Sequence, residues 1–443
     1  MSERKYPPGP KGELLFGHFR LVTRDPLGFL SRCAREYGDV VGLRMLHLRS
    51  FFLRHPNDIE KVLVTHNRNF IKGRILRSNR RVFGNGLLVS EGDFWLRQRR
   101  LAQPAFHRER VAGYGRTMVA AAARMIEGWR DGETRDVHEE MMRLTLGIVA
   151  ETLFGAQVER DAPEVGRAMA FLSERALEPR SFLPFLQKIS TSTQRRLEKE
   201  IQRLDAIIYG IIAERRASGQ DTGDLLSMLL RAQDEDGSRM SDQQVRDEAL
   251  TLFLAGHETT AIALAWTWYL LAQHPKAEAK LHAEIDAVLG GHAPGADDLP
   301  RLRYAEHVMT EAMRLYPPAW GMARLCVKET EIAGYTVRPG NGVTFSQWVV
   351  HRDPRWYEQP EAFLPERWEG DLAKRLPKFA YFPFGGGPRV CIGNSFAMME
   401  AALLLTTIAQ RFRLRLVPEH KVELLPGITL RPKNGIRVTL EKR

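Results

Sequence analysis

The sequence predicts a mainly α-helical protein with a minor β region, and three observations predict it. Across 93–317 apolar residues recur at helical spacing almost without interruption. Segments near 35–55, 325–350 and 412–443 instead hold β-type residues bounded by glycine, proline and asparagine. With 443 residues, 44% hydrophobic and 27% charged, the chain has globular composition and the length for a large core. We therefore expect a helical body over 93–317 and 391–412.

The strands are predicted from short β-type segments. The first follow a PPGP entry, in VVGLRMLHLRSFFLRHP. YTVRPGNGVTF favours a hairpin around its Pro-Gly-Asn-Gly turn. GITLRPKNGIRVTLEKR predicts terminal strands, and we expect one minor sheet built from both ends of the chain.

The best-marked helix is long and central. Ser241 and Gln244 form a capping box, and Pro275 ends the run, which gives about 33 residues and roughly 50 Å at helical rise. Its apolar stretch could span a bilayer by length, but it contains His257 and Glu258, which would be costly there. We therefore predict a buried helix that crosses the molecule. A second helix, YAEHVMTEAMRLY, ends before Pro317.

Charge and cysteine content limit the environment and partners. The N-terminus has no signal peptide or membrane span, so we expect no membrane anchor. Cys33, Cys326 and Cys391 are far apart and form no CxxC, which argues against disulfides and for a cytoplasmic location. The net charge of +11 is either solvated surface or a dock for an acidic protein. No aromatic-basic motif accompanies it, so we expect no nucleic-acid binding.

Several familiar motifs are incomplete. HETTA at His257 lacks the second histidine of a zinc-protease helix. GNGLLV at Gly84 lacks the third glycine of a dinucleotide fingerprint, and no phosphate-binding GxxxxGK[ST] occurs. A nicotinamide site is therefore not visible.

Cys391 lies in the stretch FPFGGGPRVCIG, ahead of an apolar helix. Three consecutive glycines allow close backbone approach or positive φ. A helix start and Arg389 nearby favour a thiolate. From these residues alone, Cys391 is either a small buried apolar residue or a soft ligand to a metal cofactor.

The stretch FGGGPRVCIG resembles the cysteine-ligand loop of the cytochrome P450 family, FxxGxRxCxG, at Phe384, Gly387, Arg389, Cys391 and Gly393. The other family signatures follow in order and cover nearly the whole chain. PPGP, PERW and FGGGPR look closer to the fatty-acid and microsomal-like branch than to the camphor type, in a soluble prokaryotic-type protein.

This resemblance implies a single catalytic domain over 1–443 with the cytochrome P450 fold, in which the long helix crosses a buried haem. The cofactor would be haem b, with the Cys391 thiolate as axial ligand to the iron. Phe384 would lie against the cofactor.

Glu311 and Arg314 resemble the family's ExxR pair, with Arg367 of PERW as third partner. ExxR occurs five times in this chain, and only this copy is followed by PERW and the cysteine loop. The resemblance implies a buried structural triad.

Trp95 and Arg99 resemble the family's WxxxR, in which both bind a haem propionate. They share one helix face. Arg389 and Arg324 are further candidates, because charge-assisted bonds hold carboxylates well. One or more of these residues would otherwise be plain basic surface.

AGHETT, 255–260, resembles the family's acid–alcohol stretch, and it implies that Glu258 and Thr259 relay protons to the oxygen that the haem activates. The alternative is a polar break in a core helix, with Thr259 bonded back to a carbonyl.

The resemblance as a whole implies a monooxygenase that inserts one atom of O2 into a hydrophobic fatty acid, terpenoid or steroid. Leu88, Ala255, Ala319 and Trp320 would line its pocket. The arginines of KGRILRSNRR could meet a substrate carboxylate, or they are solvated loop.

Electrons would come from a separate ferredoxin or flavodoxin with its reductase, docked on the basic face where Arg97 and Arg100 point outward. Three alternatives stay open: a haem-thiolate peroxygenase or isomerase, a non-enzymatic haem-based sensor, and a helical protein with an inert Cys391.

Overall fold

Helices make up most of the described chain. The computed structural model describes residues 6–156, 164–168, 171, 192–232, 237 and 239–443. The helices are α1 (Phe19–Arg24), α2 (Pro26–Tyr37), α3 (Pro56–Glu60), α4 (Arg74–Ser78), α5 (Arg80–Phe83), α6 (Gly92–Ala102), α7 (Arg108–Glu127), α8 (Val137–Phe154), α9 (Ser192–Ser218), α10 (Leu225–Arg231), α11 (Asp242–Gln273), α12 (Pro275–Leu289), α13 (Arg303–Leu315), α14 (Gln347–Val350), α15 (Leu372–Arg375) and α16 (Asn394–Ala409).

Short strands fall in three parts of the chain, with one exception inside the helical body. The strands are β1 (Val40–Met45), β2 (Leu48–Leu53), β3 (Phe70–Lys72), β4 (Thr134–Asp136), β5 (Met322–Cys326), β6 (Thr330–Ile332), β7 (Tyr335–Val337), β8 (Gly342–Phe345), β9 (Phe412–Leu416), β10 (Leu424–Pro426), β11 (Leu430–Pro432) and β12 (Arg437–Lys442). The exception, β4, pairs with the C-terminal strand β12.

The central helix α11 begins and ends as its sequence predicts. Ser241 accepts a hydrogen bond from the Gln244 N–H at 3.3 Å, and the Gln244 side chain accepts one from the Ser241 N–H at 2.8 Å. This capping box satisfies two N–H groups that the helix itself leaves free. Its middle is buried, and it packs along α8, α13 and α16. The prediction of a long buried central helix is confirmed.

The prediction of one sheet formed by both ends of the chain is wrong. The N-terminal strands belong to a five-stranded sheet in the order β1-β2-β8-β5-β3, in which β2 and β8 run parallel. The C-terminal strand β12 lies instead between β4 and β9 in a separate sheet, and β10 pairs with β11. Both ends contribute strands, but to different sheets.

The predicted hairpin at 335–345 is also wrong. The turn exists, with a hydrogen bond from the Asn341 N–H to the Arg338 carbonyl and Gly340 at a φ of 88°. However, β7 pairs with the preceding strand β6, while β8 lies between β2 and β5 in the five-stranded sheet. Long-range pairing decided the partners of β8, whereas β7 forms a tight hairpin with β6, the strand just before it.

The main apolar core is helical, and it leaves the cysteine loop beside the central helix. Residues from α7, α8, α11, α13 and α16 form its largest cluster, with Phe384 packed against the edge. Within the described residues, no helix is long and apolar enough to cross a membrane.

Candidate functional site

The loop that carries Cys391 is shaped by its glycines. Gly385 and Gly387 have φ values of 72° and 66°, which disfavour residues with a Cβ. A Cβ on Gly387 would also collide with the Leu63 carbonyl. The Cys391 N–H donates to the Phe384 carbonyl at 3.0 Å, which folds the loop back on itself.

The Cys391 side chain faces a cavity of about 350 Å³. Its accessible surface opens to this cavity, and protein atoms surround it elsewhere. Burial raises the pKa of the thiol, whereas the Gly393 N–H and the Arg99 guanidinium favour the thiolate. Helix α16 begins three residues later, at Asn394, so Cys391 precedes the first helical turn.

The structure brings the predicted cofactor residues to the wall of this cavity. Those on the wall are Trp95, Arg99, Arg324, Phe384, Arg389 and Cys391. Arg99 donates to the Val390 carbonyl at 2.7 Å, next to the cysteine. Arg389 lies 5.5 Å from the centre of the Trp95 ring and donates to Glu91 at 2.5 Å. Arg389 is therefore engaged by a carboxylate, and Arg99 is the cation that acts on the thiol.

A buried lysine on the same wall escaped the sequence reasoning. Lys72 is 5% exposed, and its ammonium group donates to the carbonyls of Leu87 at 2.8 Å and Ser90 at 2.7 Å. Burial lowers its pKa to about 7, and the nearby Arg389 and Arg324 add to that effect. No local pattern in the sequence marks Lys72, because its burial depends on pairing between distant strands.

Lys72, Arg324 and Arg389 lie near one another on the cavity wall, and the carboxylate of Glu91 is close to all three. Arg324 is 6% exposed and donates to the carbonyl of its neighbour Ala323, and burial lowers its pKa to about 10. The Nε atom of Arg389 has no hydrogen-bond partner among the described residues. Buried cations require anionic partners. Haem b fits this wall, because it carries two carboxylates and Cys391 lies on the same cavity.

The acid–alcohol pair is split between the cavity and the core. Thr259 lines the cavity, where its hydroxyl donates to the Ala255 carbonyl at 3.0 Å. Glu258 does not line it. Its carboxylate, 3% exposed, accepts from Thr429 at 2.5 Å and from the Arg431 Nε at 2.7 Å. Sequence reasoning missed both partners, since they lie more than 170 residues away on the segment that ends in β11.

The predicted substrate residues also divide. Leu88, Ala255 and Ala319 line the cavity beside Cys391. Trp320 does not; it lines a second cavity of about 290 Å³, where its indole donates to the Gly427 carbonyl at 3.0 Å. The two cavities share lining residues, including Met322, and are therefore adjacent.

The structure assembles the predicted triad and extends it. Arg314, fully buried, donates to both oxygens of Glu311 at 2.8 and 2.9 Å. Arg367 donates to one of those oxygens at 2.8 Å, and Trp368 donates to the other at 2.9 Å. The Leu364 N–H adds a further bond at 3.0 Å. The carboxylate is thus fully satisfied, as a buried charge must be.

Sequence comparison identifies the family. The profile of the family "Cytochrome P450" matches residues 7–439. Cyclooctatin synthase of Streptomyces melanosporofaciens is 40% identical over 95% of this chain and 92% of its own length. Cyclooctat-9-en-7-ol 5-monooxygenase of the same organism is 39% identical over 91% of this chain and 88% of its own. Pentalenene oxygenase of Streptomyces avermitilis is 34% identical over 100% of this chain and 99% of its own length.

The comparisons and the cavity agree on the kind of chemistry. The matched family uses haem b with a cysteine thiolate on the iron, and relatives of this chain are named as a monooxygenase and an oxygenase. The cysteine, the cationic wall and the central helix at the cavity suit that cofactor. The chain belongs to the cytochrome P450 family, and it is a haem-dependent monooxygenase.

Proposed function

We propose that this enzyme hydroxylates a terpenoid and that Cys391 is the thiolate ligand of its haem iron. The observation that carries the proposal is the position of the Cys391 thiol, on a mostly apolar cavity that residues of the central helix also line. Three relatives are named for the synthesis of cyclooctatin, the 5-monooxygenation of cyclooctat-9-en-7-ol and the oxygenation of pentalenene, which supports a terpenoid over a fatty acid or steroid.

The cationic wall holds the cofactor in this proposal. Arg324 and Arg389 would hold the haem carboxylates, and Trp95 and Arg99 lie on the same wall of the cavity. Phe384 packs at the cavity beside the cysteine. When bound, haem b supplies the activation of O2 and the oxidation of a C–H bond.

Two side chains of α11 would handle protons. Thr259 is the member of the acid–alcohol pair that reaches the cavity, so its hydroxyl orients water and passes protons there. Glu258, which is buried behind the cavity wall, supplies these protons to Thr259. Because Arg431 pairs with Glu258 at 2.6 Å, the carboxylate must exchange this partner for a proton in each cycle.

Apolar side chains would position the substrate and keep water out. Leu88, Ala255 and Ala319 supply apolar wall of the cavity that contains the thiol, and Trp320 borders the adjoining cavity. The shared lining gives an elongated or polycyclic substrate room in both cavities. The arginine-rich segment 74–81 reaches the second cavity through Arg74, which would suit a polar substituent.

Electrons would arrive from a separate ferredoxin or flavodoxin with its reductase. Both protein classes are acidic, and Arg97 and Arg100 lie on the helix that carries Trp95 and Arg99. We place the enzyme in the cytoplasm, with its three cysteines free, as a single catalytic domain over residues 1–443.

The first test is the carbon monoxide difference spectrum of the dithionite-reduced protein. We expect a strongly red-shifted Soret band that Cys391→Ser abolishes. A band at the position of a histidine-ligated or neutral thiol-ligated haem would contradict thiolate ligation. Spin-state titrations with cyclic terpene hydrocarbons, terpene alcohols and fatty acids of matched carbon number then test the substrate. Tighter binding of fatty acids would overturn the terpenoid assignment.

A further inference from the structure

The segment GNGLLVS, 84–90, lies against the start of the central helix at very short range. Gly84 has a φ of 55°, and a Cβ on it would collide with the carboxylate of Asp247. A Cβ on Gly86 would collide with the Thr251 hydroxyl. The two glycines that resemble part of a dinucleotide fingerprint therefore allow close packing on α11.

Two acidic side chains of α11 hold the backbone of this segment. Asp247 accepts from the Asn85 N–H at 2.7 Å, and Glu248 accepts from the Leu87 N–H at 2.9 Å. Glu248 is 1% exposed, and its other oxygen has no hydrogen-bond partner among the described residues. The carboxyl group of Glu248 is therefore held through one oxygen, by the Leu87 N–H.

Lys72 holds the same residue, Leu87, through its carbonyl. Its ammonium group donates to the carbonyls of Leu87 and Ser90. The N–H of Leu87 is thus bound to the central helix, and its carbonyl is bound to β3 of the five-stranded sheet. These contacts restrain the segment on two sides.

The restrained segment forms part of the cavity wall. Leu87 and Leu88 both line the cavity that contains Cys391, on the side where Thr251 and Ala255 of α11 also reach it. A shift of the Leu87 peptide by an ångström would therefore move apolar side chains toward or away from a bound molecule. Packed walls transmit such shifts because interiors have few voids.

We propose that Glu248 and Lys72 are positioning residues that fix the Leu87–Leu88 wall and so determine which hydrophobic substrates the cavity accepts. The proposal rests on the proposed function, in which this cavity holds haem and substrate. Neither residue acts on the substrate in the reaction. Glu248 acts through the Leu87 N–H, and Lys72 acts through the Leu87 and Ser90 carbonyls.

The chemistry of the contacts suggests a precise test at Glu248. Burial raises the pKa of this carboxyl to about 8, and the nearby Asp247 adds to the effect while the Leu87 N–H opposes it. Glutamine is then close in charge and shape to the native side chain at neutral pH. Glu248→Gln keeps an oxygen for the Leu87 N–H, whereas Glu248→Met leaves that donor buried and unpaired.

Two nitrogen ligands of haem iron distinguish an effect on the cavity wall from an effect on the haem itself. Imidazole is small and reports iron access, whereas 4-phenylimidazole also fills the apolar space above the iron. We expect Glu248→Met to weaken 4-phenylimidazole binding about tenfold, measured by the Soret shift. Imidazole affinity should stay within about twofold, and Glu248→Gln should keep both affinities within about twofold. The control is Glu278→Met, because Glu278 is a buried glutamate of α12 that pairs with Arg415 of β9.

Hydrogen exchange does not depend on bound haem, so it tests the inference even if Glu248→Met binds the cofactor poorly. The amide of Leu87 should exchange hydrogen about tenfold faster in Glu248→Met than in the native protein or in Glu248→Gln. Unchanged ligand ratios and unchanged exchange would overturn the inference, and so would equal losses in Glu248→Gln and Glu248→Met. Failure of the proposed function would look different, because the native protein itself would then lack the thiolate–haem spectrum.

Discussion

Glu400 is a carboxyl group inside the apolar helix α16, and its replacement by glutamine should change how stability depends on pH. The residue is fully buried, and both carboxyl oxygens lack hydrogen-bond partners within the described residues. Burial raises its pKa well above 4.5, and the Thr260 hydroxyl opposite offsets this only in part. The folded protein therefore holds this proton to a higher pH than the unfolded chain does.

The size of the effect follows from proton linkage. Above pH 4.5 the unfolded chain releases the Glu400 proton, while the folded chain retains it. The folded state then binds one more proton than the unfolded state, so stability falls as pH rises. The loss is about 1.4 kcal/mol per pH unit until the folded carboxyl itself ionises. Glu400→Gln has no such proton. Its free energy of unfolding relative to the native protein should therefore rise by about 1.4 kcal/mol per pH unit over the same range.

Urea unfolding followed by tryptophan fluorescence at pH 5, 6 and 7 measures this difference. All other titrating groups cancel between the two proteins, and Glu361→Gln, at an exposed glutamate paired with Arg352, corrects for the chemistry of the substitution. We expect the advantage of Glu400→Gln to grow from pH 5 to pH 7, by at most about 2.7 kcal/mol, because the raised pKa keeps the proton on the folded carboxyl to a higher pH. A constant difference would show that Glu400 is ionised in the folded protein and would refute this reasoning.

Three further substitutions test the triad, the cysteine loop and the acid. Glu311→Gln leaves the buried guanidinium of Arg314 without its charge partner and should cost about 3–5 kcal/mol in urea unfolding, with loss of bound haem. Gly387→Ala should cost about 1–3 kcal/mol by the same measurement, because of its positive φ and the collision with Leu63, and a neutral result would show that the loop can shift. Arg431→Met removes the ion pair that holds Glu258, so the ratio of product formed to O2 consumed should fall severalfold and change with pH, and an unchanged ratio and profile would contradict the proposed proton route.

Local signals predicted the helices better than the strand partners. The capping box at Ser241 and the proline after the last turn lie within a few residues of the ends of α11, so the sequence fully marks them. Strand pairing has no such local record. The β7 and β8 segments flank a good turn, yet β7 pairs with β6 just before it, and β8 joins β2 and β5 elsewhere in the chain.

The contrast between local signals and long-range packing also explains which site residues could be predicted from the sequence. Cys391 lies in a motif that is contiguous in the chain, so it can be found by reading a few residues. Glu400 left a weaker signal, as a lone charge in an apolar helix that the sequence reasoning passed over. The burial of Lys72 and the pairing of Arg431 with Glu258 depend on tertiary packing, and composition or spacing does not reveal them.

The acidic side chains of α11 show why a long helix is useful at this position. Asp247 and Glu248 bind backbone N–H groups of the segment before α6, and about 15 Å further along the helix Glu258 binds Arg431 of β11. One rigid element thus fixes the wall of the cavity near its start and holds the candidate proton donor at its middle. A helix interrupted between these points would let the two move independently. The uninterrupted run from Asp242 to Gln273 keeps wall, hydroxyl and acid in a fixed relation.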